Sequence, residues 1–132
     1  MTHGLDTSVA LRILSGLPEE EAAAVADRLL EDIQNGNEFE VSSLVLSEAY
    51  FALQHHYGFS KAEAQESLRA LAATPGIVLE PGVKAILETP GLEASNPGFV
   101  DRMIVAGYAA HGHGTYSCEK AFRRLSGTEI LP

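Results

Sequence analysis

Short apolar segments alternate with longer segments of helical apolar spacing from the first residues of the chain to the last. Residues 3–6, 39–41, 77–79, 114–117 and 129–131 have the length and composition of short strands. Between them, apolar residues recur every three or four positions, as they do in helices that pack one face on a core. Strands that each follow a helical crossover pair in parallel. The alternation therefore predicts an α/β fold with a mostly parallel central sheet of four to five strands flanked by helices.

The length and composition are those of one compact domain. The 132 residues suffice to bury a core, and 45% of them are hydrophobic with a mean hydropathy of +0.03. No repeat or linker interrupts the sequence, so a single domain is expected over residues 1–132. Its only cysteine, Cys118, suits a reducing cytoplasm. No apolar run approaches the roughly 20 residues that span a bilayer, and no secretory signal is evident, so we expect a cytoplasmic protein with no membrane partner.

The net charge of −9 limits the partners that the surface attracts. Nine Lys and Arg side chains stand against eighteen Asp and Glu side chains. Broad electrostatic binding to nucleic acid requires a basic surface, so a general DNA-binding module is disfavoured. An acidic pocket that binds divalent cations would itself make the apoprotein anionic. The composition therefore remains compatible with a metal-dependent enzyme that acts on nucleic acid.

Four acidic residues stand at a strand end, at a helix start or inside an apolar helix. They are Asp6, Glu48, Asp101 and Glu119. Right-handed crossovers place the carboxyl ends of parallel strands, and the helix starts that follow, along one edge of a sheet. Two interpretations stay open at this point: the acids gather at that edge, or they are unrelated surface and capping acids. In the second interpretation, Asp6 is a turn former beside a helix that Thr7 or Ser8 caps.

Carboxylates that gather in this way need a cation, because ionised acids repel one another where water is scarce. Hard oxygen ligands select Mg²⁺ or Mn²⁺. Such an ion activates water and stabilises the charge that develops when a phosphodiester is displaced in line. The first interpretation of the four acids therefore predicts a metal-dependent site for phosphodiester hydrolysis.

The segments that carry these acids resemble the successive motifs of PIN-domain ribonucleases. They are Leu5-Asp-Thr-Ser-Val9, Ser43-Leu-Val-Leu-Ser-Glu-Ala49, Val100-Asp-Arg-Met-Ile-Val-Ala106 and Thr115-Tyr-Ser-Cys-Glu-Lys-Ala-Phe122. The resemblance is closest to the VapC-type toxins of type II toxin–antitoxin pairs, and it covers nearly the whole chain. Each motif alone is weakly specific, whereas four in the right order are fairly specific.

This resemblance implies a metal-dependent endoribonuclease with an RNA substrate, a cognate antitoxin partner and a homodimeric state. The residues that it implies around Mg²⁺ or Mn²⁺ are Asp6, Glu48, Asp101 and Glu119. Ser8 and Ser117 match hydroxyl positions that line the site in the family. Two positions depart from the family's usual pattern: Glu119 stands where an aspartate is usual, and Gly98 stands where a further acid is frequent.

Several basic residues lie near the proposed site in sequence. They are Arg12, Arg102, Lys120, Arg123 and Arg124. Two interpretations stay open for all five, and in particular for Arg123 and Arg124: they hold RNA phosphates near the metal, or they pair with surface acids. Arg102 and Arg123 are the candidate substrate-binding residues.

Other polar and aromatic residues receive structural interpretations. Four histidines and the cysteine are residue types that bind zinc: His55, His56, His111, His113 and Cys118. They lie at separate helix ends and beside glycines, which disfavours a closed tetrahedral zinc site. We interpret the histidines as helix C-terminal residues and Cys118 as a small core residue. The aromatic residues at helical spacing are interpreted as core or dimer interface; they are Tyr50, Phe51, Tyr108 and Phe122.

A second function class competes with the nuclease. The low basic content and the altered fourth motif favour a non-catalytic PIN-fold module that binds a partner protein and need not hold a metal. Metal binding discriminates between the two hypotheses, because only the nuclease requires Mg²⁺ or Mn²⁺.

Overall fold

A computed structural model describes residues 1–14 and 20–132 of the chain. The described residues divide into two compact units, Met1–Glu80 and Pro81–Pro132. Helices and strands alternate through both units. The sequence predicts a helix break at residues 15–18 with Pro18 opening the next helix, and that segment lies outside the described residues.

The first unit is built on a parallel three-stranded sheet with β2 in the centre, in the order β1-β2-β3. His3 pairs with Phe39, and Phe39 pairs in turn with Ile77. In the described parts of the two crossovers, two helices follow β1 and two follow β2. Since the three strands are parallel, each crossover returns the chain to the same end of the sheet. The elements are β1 Thr2–Gly4, α1 Thr7–Leu14, α2 Glu20–Gln34, β2 Glu38–Val41, α3 Ser43–His55, α4 Lys61–Ala72 and β3 Ile77–Leu79.

The core of this unit lies where α1 packs against α2, α3 and α4, and α3 against α4. The buried residues of α3 recur at helical spacing, so they form a single face; they are Leu46, Ala49, Tyr50 and Leu53. Burying one such leucine contributes roughly 1.5–3 kcal/mol. A buried polar contact crosses this core, where Gln65 Nε2 of α4 donates to the Tyr50 hydroxyl at 3.1 Å.

The starts of α3 and α4 are fixed by serine caps. Ser42 accepts a hydrogen bond from the Val45 N–H at 3.2 Å. The sequence Ser60-Lys-Ala-Glu63 predicts a capping box at the start of α4. The prediction is confirmed: Ser60 Oγ accepts from the Glu63 N–H at 3.1 Å, and the Glu63 carboxylate accepts from the Ser60 N–H at 3.0 Å. The Ser60 N–H, and to a smaller extent the Ser60 hydroxyl, hold the pKa of the Glu63 carboxyl below its usual value of 4.5.

The second unit contains two α-helices, two short 3-10 helices and a parallel pair of strands. Its elements are α5 Val83–Leu87, a short 3-10 helix Leu92–Ala94, α6 Phe99–Ala109, β4 Thr115–Ser117, a second 3-10 helix Lys120–Arg124 and β5 Thr128–Ile130. Apolar side chains from the two α-helices and both 3-10 helices are buried, and α5 packs against α6. The Asn96–Pro97 peptide bond that precedes α6 is cis.

The predicted α/β class is confirmed, because all five expected strands form and every recorded pairing is parallel. Their pairing gives a three-stranded sheet in the first unit and a two-stranded sheet in the second. The sequence predicts a short helix over residues 119–125. The structure has the tighter 3-10 form there, over Lys120–Arg124. None of the described helices is long and apolar enough to cross a membrane.

Candidate active site

Asp6 lies two residues after β1, directly before α1, and is itself the residue that caps this helix. The β1–β2 pairing extends through the Leu5 N–H, which donates to the Glu40 carbonyl at 3.0 Å. One carboxylate oxygen of Asp6, Oδ1, accepts hydrogen bonds from the Ser8 hydroxyl at 2.6 Å and from the Val9 N–H at 3.2 Å. The expectation that Thr7 or Ser8 caps this helix is therefore wrong, since Ser8 donates to the capping carboxylate.

The surroundings of Asp6 favour its ionised form. The Ser8 hydroxyl and then the Val9 N–H lower the pKa of Asp6 below its usual value of 3.8, and Arg12 adds a smaller effect in the same direction. Partial desolvation opposes them without reversing the shift. Asp6 is solvent-exposed. It therefore presents a fully charged, oriented carboxylate to solvent at neutral pH.

Glu48 lies on the exposed side of α3. The apolar residues that surround it in sequence do not bury it, because Leu44 and Phe51, about one turn away on either side, are themselves 71% and 47% exposed. The start of α3 follows β2, whereas Asp6 follows β1. Since β1 and β2 are parallel neighbours, both lie at the same edge of the sheet.

A third acid at this edge was missed by the sequence reasoning. Glu80 follows β3, and its two carboxylate oxygens accept from the N–H and the hydroxyl of Ser43, each at 3.0 Å. Like Asp6, Glu80 lies at the end of a predicted strand, and this position in the sequence could have identified it. Glu80 thus joins the end of β3 to the start of α3.

In the second unit, Asp101 lies in the first turn of α6 and is half-buried. Two arginines bind the main chain that precedes this helix. Arg102 Nε donates to the Pro97 carbonyl, and Arg124 Nη1 donates to the Asn96 carbonyl, both at 2.8 Å. The guanidinium groups of both residues are therefore involved in holding the segment from which α6 begins.

Glu119 stands between β4 and the second 3-10 helix, with an exposed side chain. The Ser117 hydroxyl accepts from the Glu119 N–H at 3.0 Å, and the Ser117 carbonyl accepts from the Leu131 N–H at 2.8 Å. Ser117 therefore fixes the turn that presents Glu119. Arg123 follows in the 3-10 helix and is exposed.

The described part of each unit contributes two of the four predicted acids. Asp6 and Glu48 belong to the first unit, and Asp101 and Glu119 belong to the second. Within either unit, the described His, Cys, Asp and Glu residues form no group of three that could hold a metal ion. The donor set itself, four carboxylates, has the hard-oxygen chemistry that Mg²⁺ and Mn²⁺ require.

Some interpretations of single residues change with the structure. Cys118 is exposed, so its assignment to the core is wrong. Tyr50 and Phe122 are buried as core residues, whereas Phe51 and Tyr108 are 47% and 50% exposed and belong to no core. The rings of His111 and His113 lie 6.0 Å apart, and both residues are exposed.

The sequence matches the PIN domain over residues 5–127, a range that includes all four predicted acids and runs through both units. The chain belongs to the PIN-domain family. PIN domains are generally metal-dependent nucleases. No protein of curated function matches the sequence.

Proposed function

We propose that this PIN domain is a metal-dependent endoribonuclease that acts as the toxin of a bacterial toxin–antitoxin module in the cytoplasm. The observation that carries the proposal is Asp6, a charged and oriented carboxylate at the end of the first strand of a PIN domain. The order of the four acids along the matched range supports it further.

The proposed metal ligands are the four carboxylates. Asp6, Asp101 and Glu119 are the principal ligands, and Glu48 is a ligand or orients the attacking water. When bound, Mg²⁺ or Mn²⁺ supplies Lewis-acid activation of that water and stabilises charge on the phosphodiester. The exposure of Asp6, Glu48 and Glu119 suits groups that must meet solvent and substrate.

Hydroxyl and basic side chains have supporting roles in this proposal. Ser8 orients Asp6 through its 2.6 Å hydrogen bond, and Ser117 fixes the backbone at Glu119. Arg123, which is exposed, is the stronger candidate to hold an RNA phosphate. Arg102 is the weaker one, because its Nε already binds the Pro97 carbonyl.

The proposed protein partners are an antitoxin and a second copy of the chain. An apolar groove of about 450 Å³ in the first unit supports a protein partner. Side chains from α1, α2 and α4 line this groove, among them Ile13, Leu29, Ile33 and Leu71. Exposed Phe51 and Tyr108 supply further apolar surface that an assembly would cover.

The nuclease proposal is tested with a structured RNA and a single-stranded DNA of the same sequence. Cleavage of the RNA is expected with Mg²⁺ or Mn²⁺ and not with EDTA. Asp6→Asn is expected to lower kcat/KM by at least ~100-fold, since loss of even an outer partner of a metal ligand lowers activity 10–100-fold. Asp27→Asn, at an exposed acid of α2, is the matched control and should match wild type. If wild type and Asp6→Asn are equally inactive with both ions, the catalytic proposal is wrong.

The toxin role needs a separate test, because a PIN nuclease need not be a toxin. Induction of this protein alone is expected to arrest growth, and Asp6→Asn should relieve the arrest. A short neighbouring reading frame with a DNA-binding N-terminus is the expected antitoxin gene. Normal growth during induction of an active nuclease would contradict the toxin role alone.

A non-catalytic binding module is the second candidate function. The low basic content, with a net charge of −9, and the glutamate at position 119 of the fourth motif favour it. Calorimetric titration with Mn²⁺ separates the candidates. A nuclease should bind the ion and lose affinity in Asp101→Asn, whereas a binding module should show no change between the two proteins.

A further inference from the structure

We propose that Glu80 is a positioning residue that holds α3, and with it Glu48, at the sheet edge where Asp6 lies. This inference rests on the proposed nuclease function and assigns a residue outside its four acids. Glu80 acts through Ser43, with no contact to the substrate required of it.

The contact between Glu80 and Ser43 joins residues 37 positions apart in sequence, and it is partly buried. Glu80 Oε1 accepts from the Ser43 N–H, and Glu80 Oε2 accepts from the Ser43 hydroxyl, each at 3.0 Å. Hydrogen bonds to an ionised acceptor are roughly twice as strong as neutral ones. Because both carboxylate oxygens bind Ser43 in this way, the contact holds the first residue of α3 firmly.

Ser43 is a sensitive point for this contact because it is the first residue of α3. The first N–H groups of a helix have no carbonyl partner within the helix, and a negative charge there is favourable. Ser42 satisfies the N–H of Val45. Glu80 satisfies the N–H of Ser43, so the first turn is held from both β2 and β3.

Glu48 lies five residues beyond Ser43, about one and a half turns or roughly 7.5 Å along the helix axis. A shift in the position of the first turn of α3 therefore also shifts the Glu48 carboxylate. Asp6 is tied to the same sheet through Leu5 and the β1–β2 pairing. The Glu80–Ser43 contact thus sets α3 against the sheet that also positions Asp6.

The first measurement uses no activity. Amide hydrogen exchange of Ser43 is expected to be on the order of tenfold faster in Glu80→Ala, from loss of a hydrogen bond to a charged group. In Glu80→Gln, the amide oxygen can accept from the N–H while the NH₂ donates to the hydroxyl. Exchange in Glu80→Gln should therefore stay closer to wild type than in Glu80→Ala.

The second measurement is Mn²⁺ affinity by calorimetry, together with the Mn²⁺ concentration for half-maximal RNA cleavage. Glu80→Ala is expected to weaken both by about 3–10-fold, less than the 10–100-fold typical for direct partners of metal ligands. The matched control is Ser60→Ala, which removes the cap of α4, a helix with none of the four acids. It should lower stability while leaving both Mn²⁺ values unchanged.

The outcomes separate this inference from the proposed function. Unchanged Ser43 exchange in Glu80→Ala overturns the contact itself. If the Ser43 amide exchanges faster in Glu80→Ala, but the two Mn²⁺ values of that variant equal those of Ser60→Ala, the positioning role is overturned and the nuclease proposal stands. A wild-type protein that binds no Mn²⁺ and cleaves no RNA overturns the nuclease, and the positioning role with it. Weakened Mn²⁺ binding in Glu80→Ala with recovery in Glu80→Gln supports the proposal.

Discussion

Gly76, which immediately precedes β3, allows a strong test of how α2 packs on the sheet. Its φ is +85°, in the left-handed region, and a Cβ atom there would lie 2.7 Å from both Cγ1 and Cγ2 of Ile33. Its carbonyl also accepts from the Phe39 N–H at 2.7 Å, so the backbone has little freedom to move away. Gly76→Ala therefore meets a backbone penalty and a steric one together.

The magnitude follows from these two effects. A residue with a side chain costs about 1–2 kcal/mol in the left-handed conformation, and overpacking costs about 1–3 kcal/mol. Gly76→Ala is thus expected to lower the free energy of unfolding by about 2–5 kcal/mol. Gly36→Ala is the control, because Gly36 has a φ of +90° and nothing within 4 Å of its Cβ position. The free energy of unfolding of Gly36→Ala should fall only by the backbone penalty, about 1–2 kcal/mol.

Urea unfolding at 25 °C measures both values, with the m-value confirming that each variant unfolds in one transition. The double variant Ile33→Ala/Gly76→Ala isolates the steric part, since a shorter side chain at position 33 removes the clash. Its loss should be smaller than the sum of the single losses by about 1–3 kcal/mol. Equal losses for Gly76→Ala and Gly36→Ala, or strict additivity in the double variant, would refute the reasoning.

Two further predictions concern the site and the core. Because the pKa of Asp6 is lowered by folding, its contribution to stability is present above the unfolded value of 3.8 and is lost as pH falls through the folded value. Ser8→Ala removes the largest cause, so the pKa of Asp6 should rise, and NMR titration should show it; an unchanged pKa would contradict the assignment of that cause. Leu53→Ala in the core of α3 should lose about 2.7–5 kcal/mol in urea unfolding with an unchanged m-value, and a loss below about 1 kcal/mol would contradict its burial.

The features predicted best from the sequence are those that depend on interactions between residues close together in the chain. The capping box at Ser60 and Glu63 depends on two side chains and two N–H groups within one turn, and it forms as expected. The parallel α/β class follows from alternation alone. The cap of α1 was assigned wrongly, because a shift of one residue in the helix start decides whether Asp6 or a following hydroxyl occupies that position.

Features that depend on distant contacts escaped prediction. The apolar residues of α3 lie on most faces of the helix. Their spacing therefore could not distinguish the exposed Leu44 and Phe51 from the buried Leu46 and Leu53. Glu80 acquires its role from Ser43, 37 residues earlier in the chain, and no local pattern encodes that contact. The position of Asp6 was predictable, whereas the hydroxyl of Ser8 as its donor was not.

The double use of Asp6, as helix cap and as proposed metal ligand, decides which substitution can test its role. Asparagine ranks with aspartate as an N-cap, whereas alanine ranks far below both. Asp6→Asn therefore keeps an oxygen that accepts from the Val9 N–H and loses the charge, while Asp6→Ala loses both. At pH 7, Asp6→Asn should unfold at a midpoint close to that of wild type and yet fail to cleave RNA, whereas Asp6→Ala should fail in both respects. If Asp6→Asn unfolds as early as Asp6→Ala, the cap depends on charge, and lost activity in either variant no longer identifies a ligand.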